Sequence, residues 1–525
     1  FPFPFPTEEE RVQVGHYVEK LKQFTDEKLD PKKIDKEANI PNEVIEGLGE
    51  LGLLSLTIPS TYGGLGLSQY AYARAMEFLA GRCAATALFV NAHQSVGLKA
   101  LLLFGTQAQK EKWLPKLSKG KSLAAFSLTE KNAGSDAAGI ETVAIYDPDK
   151  KVYRISGRKQ WTTNGSKADI LTVMAKTGDK ITAFLVTPDM KGFSVLDKAL
   201  DKVGMRGSTT SNLLFENVEV PEENILGPVG GGLKVCLTVL DYGRTTFGAT
   251  CTGACREAVR LATEHATTRK QFKRKLSSFA LVKEKLAKMH AYLYAMETTT
   301  LMTAGLLDHG VEDIMLESAI LKVFTSDSYW KVLYDAMQIY GGRSFFTDTP
   351  LERMMRDARL NMIGEGSNEV LRAFIASVGL REAGVNLKEI KDKKDIKRLF
   401  STFKKYIFVQ TIAVKNPRLR QDASHLAFAV KRFGWACFKA LYRYREEVIE
   451  KQLVLNRITN AVIALYTVSA VISRLNSGRP TELELATGRL YNELALKKLK
   501  RELDQLFDPT DAQIEKLSDQ ITGGL

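Results

Sequence analysis

Two polar segments of the sequence carry side chains that could hold a flat, polar ring system. Residues 126–136 read FSLTEKNAGSD, and residues 161–165 read WTTNG. The first follows an apolar approach and offers hydroxyl and backbone N–H groups that can grip the polar edge of a heterocycle. In the second, an indole beside two hydroxyl groups could pack against the ring face. Alone, either segment is typical of a polar loop or of a core tryptophan at a strand end.

Metal, disulfide and P-loop chemistry are not favoured. Five cysteines in apolar or helical stretches indicate reduced thiols in a non-secreted protein. Cys251 and Cys255 stand one helical turn apart, but with six scattered histidines and no CxxC pair we predict no metal site. The glycine-rich residues 227–232 lack both the P-loop ending and the dinucleotide spacing, so they indicate a hinge into a helix.

The elements that must position the two segments change in type along the chain. Residues 8–117 show helical periodicity, whereas residues 124–225 alternate β-branched runs with turns. Within the latter, DPDK at 147–150 fits a type I turn, which predicts a hairpin over 142–155. The predicted domains are an N-terminal α domain (1–123), a middle β domain (124–232), a C-terminal helical domain (233–384) and an extra helical domain (385–525). Segregated blocks predict an α+β fold and not a doubly wound sheet.

The composition fits a multidomain globular protein. The 525 residues carry 74 Lys+Arg against 61 Asp+Glu, a net charge of +13, and 44% are hydrophobic. The charges are interspersed and no nucleic-acid motif occurs, so we expect no nucleic-acid partner. We see no apolar run of the ~18–20 residues that span a membrane. The alternating Phe-Pro start cannot be helical and resembles a mature terminus left by a removed targeting peptide.

In their order and spacing, the two polar segments resemble the flavin-binding segments of the acyl-CoA dehydrogenase family. Residues 268–272 (TRKQF), 338–342 (QIYGG) and 365–372 (EGSNEVLR) are similar to three further elements of that family. Chain length, the extra helical segment and the phrases at 92–95 and 107–112 are similar to its very-long-chain branch. The resemblance implies an N-terminal helical domain, a middle β domain, a C-terminal helical bundle and an extra C-terminal helical domain.

The chemistry that this resemblance implies is α,β-dehydrogenation of an acyl thioester. It requires a base at Cα and a hydride acceptor at Cβ, and no side chain accepts hydride, so FAD is the implied cofactor. Glu365 matches the family's base, and desolvation beside the flavin would raise its pKa. Gly366 would let the chain turn tightly, so that a backbone N–H reaches the thioester oxygen and stabilises the enolate charge. Without the resemblance, Glu365 would be interpreted as a solvated residue at a helix N-terminus.

The other implied site residues are carried over by position. The FAD-binding residues are Phe126, Leu128, Thr129, Gly134, Ser135, Trp161, Thr162, Thr163, Arg269, Phe272, Phe279, Gln338, Gly341, Gly342, Ser367 and Glu369. The substrate-binding residues are Ser135, Asp241, Gly243, Arg244, Gly364, Gly366 and Arg372. Arg244 is expected to pair with a phosphate of CoA or to form a surface salt bridge. Two positions depart from the family: Gly364 replaces an aromatic, and Lys283 replaces a glutamine.

The resemblance implies a homodimeric enzyme of mitochondrial fatty acid β-oxidation, on the matrix side of the inner membrane. It would convert long- or very-long-chain acyl-CoA to trans-2-enoyl-CoA and pass electrons to electron-transfer flavoprotein. Two alternatives stay open. One is a complex I assembly factor on the same fold with weak or no dehydrogenase activity, and the other is an acyl-CoA oxidase that produces hydrogen peroxide.

A basic amphipathic stretch at 388–405 suggests contact with a membrane. It holds eight Lys or Arg and three acidic residues. Its apolar side chains form one stripe of helical spacing: Ile396, Leu399, Phe400, Phe403 and Ile407. Such a stripe is typical of an interfacial helix on anionic lipid or of a core-facing helix with a solvated basic face. Membrane attachment of the very-long-chain branch favours peripheral contact with the inner membrane.

Overall fold

The structure, a computed structural model, describes residues 2–392 and 411–523; side chains of 386–392 are not described. The first part is helical, as predicted, and Phe3 at the non-helical start packs on the last part of the chain, its N–H 3.2 Å from Oγ of Ser477. The helices are α1 (Glu8–Lys28), α2 (Pro31–Glu37), α3 (Asn42–Glu50), α4 (Gln69–Arg82), α5 (Ala84–Asn91), α6 (Lys99–Phe104) and α7 (Gln107–Ser118). A π-helical turn, Ala92–Leu98, joins α5 to α6.

The middle part is a single sheet with an added hairpin beyond it. The strands are β1 (Ala124–Ser127), β2 (Val143–Asp147), β3 (Val152–Thr163), β4 (Ile170–Thr177), β5 (Lys180–Val186), β6 (Phe193–Asp197), β7 (Thr210–Pro221), β8 (Ile225–Leu226), and then β9 (Lys270–Gln271) and β10 (Arg274–Lys275). The order is β6-β7-β3-β2-β4-β5-β8, and β1 pairs in parallel with β4. The predicted hairpin is confirmed, because β2 and β3 pair antiparallel from Asp147 and Val152 outward.

Long helices make up the rest of the described chain. They are α8 (Gly232–Thr268), α9 (Ala280–Asp308), α10 (Met315–Tyr340), α11 (Pro350–Leu360), α12 (Asn368–Asp392), α13 (Arg420–Tyr444), α14 (Gln452–Ser477), α15 (Glu482–Asp504) and α16 (Asp511–Thr522). The order of helical, β and helical blocks confirms the predicted α+β fold. The stripe from Ile396 to Ile407 lies outside the described residues, as do seven of the eleven charged residues at 388–405.

The two C-terminal helical blocks share one hydrophobic core. Tyr491 of α15 is buried with its ring 5.6 Å from that of Tyr292 on α9 and 5.9 Å from that of Phe324 on α10. The same cluster of buried side chains extends from Phe247 on α8 to Leu499 on α15. Helices before and after residue 392 therefore bury each other's apolar surface.

A buried carboxylate also links these blocks to the N-terminal helices. Glu297 of α9 forms ion pairs with Arg256 of α8, Arg474 of α14 and Arg74 of α4. Burial opposes ionisation of Glu297, but the guanidinium charges outweigh it and lower its pKa. Glu77 of α4 pairs with Arg256 and Arg74 in the same cluster.

Two segments have the length and hydropathy of a membrane-spanning helix, although polar residues interrupt the apolar run in both. They are Ala84–Phe104 and Gln452–Ser477, with mean hydropathy of 1.3 and 1.5 in the best window. However, 72% and 67% of those windows are buried inside the protein. Core helices of this kind meet the same criteria, so the two segments are weak evidence for a membrane span.

Candidate active site

Glu365 lies in a strained turn between α11 and α12. Its φ is +60° and that of Gly366 is +93°, so two successive residues are in the left-handed region. The turn is closed by the N–H of Gly364 on the carbonyl of Leu360 at 2.9 Å and by the N–H of Asn368 on that of Met362 at 3.0 Å. A left-handed conformation costs a non-glycine residue roughly 1–2 kcal/mol. Such an outlier indicates that Glu365 is held in place for a purpose.

Two buried cations hold the backbone of this turn. Nε of Arg244 on α8 donates to the carbonyl of Glu365 at 3.2 Å. Nζ of Lys322 on α10 donates to the carbonyl of Gly366 at 2.6 Å and to Oδ1 of Asn368 at 2.9 Å. Burial lowers the pKa of Lys322 to about 8, against the opposing effect of nearby acidic groups. The position of Glu365 is therefore set from two helices of the core.

The carboxyl group of Glu365 is buried, and its Oε2 has no hydrogen-bond partner among the described residues. Burial raises the pKa of Glu365, and the charges of Arg244 and Lys322 oppose that rise. A Cβ at Gly243 would lie 3.1 Å from Oε2 of Glu365 and 3.2 Å from Cγ2 of Val96, so the glycine leaves room for the carboxyl group. A desolvated carboxyl group with a raised pKa suits a general base.

The two polar segments found in the sequence meet in the fold. Oγ of Ser127, at the end of β1, lies 2.8 Å from Oγ1 of Thr162 near the end of β3. The N–H of Gln160 donates to the carbonyl of Thr129 at 2.7 Å. The segments therefore form one surface, although their residues come from a parallel strand and from the β2–β3 hairpin.

The indole of Trp161 is displayed at this surface. The β3–β7 register shifts between Lys159 and Thr162, the φ of Trp161 is +56°, and 63% of the residue is exposed. The backbone N–H of Trp161 donates to Oδ1 of Asn212 at 3.3 Å, which fixes the backbone at this position. Phe126 and Leu128 are half-buried, while Gly134 and Ser135 are exposed and a Cβ at Gly134 would meet nothing within 4 Å. Hydroxyl groups, an open loop and an exposed indole fit a flavin ring.

A second group of predicted FAD contacts lies where α8 and α10 end. The rings of His265 and Tyr340 stack at 4.3 Å and join the two helix ends. Phe272 is 87% exposed in the β9–β10 hairpin, with its ring 6.1 Å from that of Phe279. Among the described residues no hydrogen bond or ring contact joins this group to the turn of Glu365.

The backbone near Gln338 is open. A Cβ at Gly341, with φ +63°, or at Gly342 would meet nothing within 4 Å, so the backbone there is accessible to a ligand. The side chain of Gln338 is already engaged, since its Nε2 donates to Oη of Tyr334 at 3.1 Å. Arg269 begins the β9–β10 hairpin and its carbonyl accepts the N–H of Leu276 at 2.9 Å.

Two arginines predicted at the substrate also have partners within the protein. The guanidinium of Arg244 is buried and contacts Glu365 and, at 3.3 Å, Oδ1 of Asp241, so it does not form a surface salt bridge, and its pairing with a CoA phosphate stays a prediction. Burial raises the pKa of Asp241, which also accepts from Oγ of Ser318 at 2.8 Å. Arg372 pairs with Asp327 and donates to Oδ1 of Asn460 at 2.9 Å, and thereby joins α12 to α10 and α14.

The remaining predicted residues sit beside the base. Ser367 accepts the N–H of Val370 at 3.4 Å, and Glu369 is exposed. Sequence reasoning missed Lys322 and Lys159, both fully buried lysines. Lys322 stands alone in the apolar run AILKVF, a signal that could have revealed a buried, hydrogen-bonded cation.

Family models of the acyl-CoA dehydrogenases match most of the chain. The N-terminal domain matches residues 15–121, the middle domain 125–218 and the C-terminal domain 230–380. A further model, described as the ACAD9/ACADV C-terminal domain, matches residues 417–523. These matches agree with the helical, β and helical blocks of the fold.

Individual proteins show the same relationship. The chain is 36% identical over 514 residues to the very long-chain specific mitochondrial acyl-CoA dehydrogenase of Homo sapiens, covering 92% of this chain and 78% of that protein. An acyl-CoA dehydrogenase from Bacillus anthracis complexed with FAD superposes with a TM-score of 0.86 at 27% identity, covering 99% of this chain and 92% of that one. Butyryl-CoA dehydrogenase from Megasphaera elsdenii superposes with a TM-score of 0.68 at 34% identity, covering 72% of this chain and 99% of that one. The chain therefore belongs to the acyl-CoA dehydrogenase family of FAD-dependent oxidoreductases.

Proposed function

We propose that the protein dehydrogenates long- or very-long-chain acyl-CoA to the trans-2-enoyl-CoA, with Glu365 as the base. The observation that carries this proposal is the buried, unpartnered Oε2 of Glu365 in a turn whose carbonyls are held by Arg244 and Lys322. The held turn fixes the direction of the carboxyl group, and desolvation increases its affinity for a proton. Both properties suit removal of a weakly acidic α-proton from a thioester.

Each group at the site then has one task. Glu365 takes the proton from Cα, while a backbone N–H of the tight turn at Gly366 stabilises the charge that develops on the thioester oxygen. When bound, FAD supplies the hydride acceptor for Cβ. An added Cβ at Gly364 would have atoms of Leu360 as its three nearest neighbours, at 3.7–3.8 Å, so this position leaves space next to the thioester. Ser135 and Asp241 are proposed to line the path of the CoA part.

The flavin is proposed to bind between residues 126–135 and 161–163. Arg269 would pair with its pyrophosphate, because a planar guanidinium matches such an anion. The open backbone at Gly341 and Gly342 and the exposed rings of Phe272 and Phe346 lie at the ends of α8 and α10, away from the base. These features support a homodimer in which each chain completes the FAD site of its partner.

The relatives support a finer assignment. The human protein is named very-long-chain specific and mitochondrial, and residues 417–523 match a domain model of that branch. We propose the mitochondrial matrix as the location, fatty acid β-oxidation as the process and electron-transfer flavoprotein as the electron acceptor.

Contact with the inner membrane is proposed through the extra helical domain. The exposed face of α13 carries Phe428, Trp435 and Tyr442, which are 55%, 39% and 78% exposed, together with Lys431 and Lys439. No Asp or Glu occurs between residues 423 and 445. Aromatic and basic side chains on one face are typical of helices at an anionic membrane surface. This face of α13 is a second candidate surface for membrane contact, in addition to the basic stretch at 388–405.

Anaerobic addition of palmitoyl-CoA to the purified flavoprotein tests the proposal. We expect the absorbance of the bound flavin to bleach in wild type and to persist in Glu365→Gln. A flavin-loaded wild type that does not bleach with any long-chain acyl-CoA would refute the proposed long-chain dehydrogenase activity and leave the complex I assembly role, which the departures at Gly364 and Lys283 keep open. Rapid reoxidation by O₂ with stoichiometric hydrogen peroxide would indicate the acyl-CoA oxidase.

A further inference from the structure

A buried lysine joins the two segments to which we assign the flavin. Lys159 of β3 is 0% exposed, and its Nζ donates to the carbonyl of Leu128 at 2.9 Å and to Oε1 of Glu130 at 2.6 Å. Lys159 stands two residues before Trp161, whereas Leu128 and Glu130 flank Thr129. The ammonium group therefore connects the backbone of one segment to the strand that carries the other.

The partner of Lys159 closes the loop that follows. The carboxylate of Glu130, which is 4% exposed, accepts the N–H of Thr142 at 3.1 Å and also the N–H of Glu141. One carboxylate thus ties both ends of the loop from 130 to 142, which holds Gly134 and Ser135. The ion pair with Lys159 therefore links both ends of this loop to β3.

Burying the ion pair of Lys159 and Glu130 costs free energy of desolvation, which suggests that the pair has a role beyond stability. Burial lowers the pKa of Lys159 to about 8, although the hydrogen bond and charge of Glu130 raise it. A buried ion pair commonly contributes no more stability than apolar side chains of the same volume. Here the cation has in addition a backbone acceptor, the carbonyl of Leu128, which a plain ion pair would not need.

We propose that Lys159 is a positioning residue that sets the spacing between residues 126–130 and 161–163 and so shapes the cleft for the flavin. The inference rests on the proposed flavin site. Four contacts between described residues join these segments: Ser127 to Thr162, Thr129 to Gln160, and Leu128 and Glu130 to Lys159. The last two come from one long side chain that reaches across from the interior. Lys159 itself touches no substrate atom and acts through the backbone of Leu128.

A set of three variants separates positioning from mere ion pairing. Lys159→Met removes both contacts and leaves the carboxylate of Glu130 buried without its cation. The double variant Lys159→Met with Glu130→Gln removes that unpaired charge as well. Arg457→Met is the matched control, because Arg457 forms a half-buried bidentate pair with Asp511, at 2.6 Å, far along the chain in α14 and α16.

FAD affinity of the apoprotein and thermal stability are the two measurements. We expect Lys159→Met to weaken FAD binding by up to roughly 10- to 100-fold, because FAD binding must then restore a loop position that the lost charge-assisted hydrogen bonds had held. In the double variant we expect the melting temperature to return toward that of wild type. FAD binding should remain weak, and the absorbance spectrum of the bound flavin should remain different from that of wild type. Arg457→Met should lower the melting temperature only.

Two results would overturn the inference. Lys159→Met could bind FAD as tightly as wild type, or the double variant could recover stability and FAD affinity together, which would make Lys159 only the partner of Glu130. A wild-type protein that binds no FAD would instead overturn the flavin site itself, so failure of the inference and failure of the proposed function are distinguishable.

Discussion

Gly243→Ala tests whether the base needs the space that this glycine leaves. The new methyl group would lie 3.1 Å from Oε2 of Glu365 and 3.2 Å from Cγ2 of Val96, and both distances are shorter than the 3.4–4 Å of an ordinary van der Waals contact of a Cβ atom. Arg244 holds the backbone of Glu365, so the carboxyl group must move by a few tenths of an ångström. A misplacement of about 1 Å can cost 10²-fold in rate, so a shift of about 0.3–0.5 Å should cost roughly four- to tenfold, or about 0.8–1.4 kcal/mol.

Stopped-flow reduction of the enzyme-bound flavin by palmitoyl-CoA measures this effect directly. Gly15→Ala in α1 is the control, because its Cβ would meet nothing within 4 Å and the rate should be unchanged. Flavin content of both variants should equal that of wild type, since neither residue contacts the proposed cofactor cleft. A wild-type reduction rate in Gly243→Ala, with its flavin bound, would show that the carboxyl group is not confined as the structure indicates.

Four further outcomes are expected. Glu365→Gln should keep FAD and lose roughly 10²–10⁴-fold in flavin reduction, because its amide cannot accept the α-proton; near-normal reduction would rule Glu365 out. In wild type, reduction should rise with pH to a half-maximum above 4.5, since burial raises the pKa of Glu365 and the ionised form is the base; a midpoint at or below 4.5 would contradict this. Arg269→Ala should release FAD on dialysis, with roughly 10- to 100-fold weaker binding. Phe428→Ser with Tyr442→Ser should reduce sedimentation with cardiolipin vesicles while bleaching by palmitoyl-CoA persists, whereas Ile145→Ser, exposed on β2, should change neither.

Local sequence patterns predicted the helices and strands well, but they could not predict which groups the charged side chains contact. The DPDK turn and flanking β-branched runs specified the β2–β3 hairpin, because turn chemistry and alternation are encoded within a few residues. Arg244 shows the limit. Its sequence context is equally compatible with a phosphate contact, and only the packing of α8 against the turn of Glu365 directs its guanidinium inward.

The candidate site was found in outline for the same reason. Glu365, Gly366 and the two polar segments belong to contiguous motifs, so their resemblance to a family could be read directly. Lys322 and Lys159 act from elements distant in sequence, on partners 44 and 31 residues away. No periodicity marks a single lysine as buried, and the parallel pairing of β1 with β4 that brings the segments together depends on tertiary structure.

The shared carboxylate of Glu297 bears on how the chain unfolds. Arg474, from the extra helical domain, shares it with Arg256 and Arg74, and Tyr491 fills the space between α9 and α10. Removing the residues after 392 would strip a counter-charge from a buried anion and open a cavity in the catalytic half. In this chain the extra domain and the dehydrogenase core are therefore expected to unfold together, as one cooperative unit.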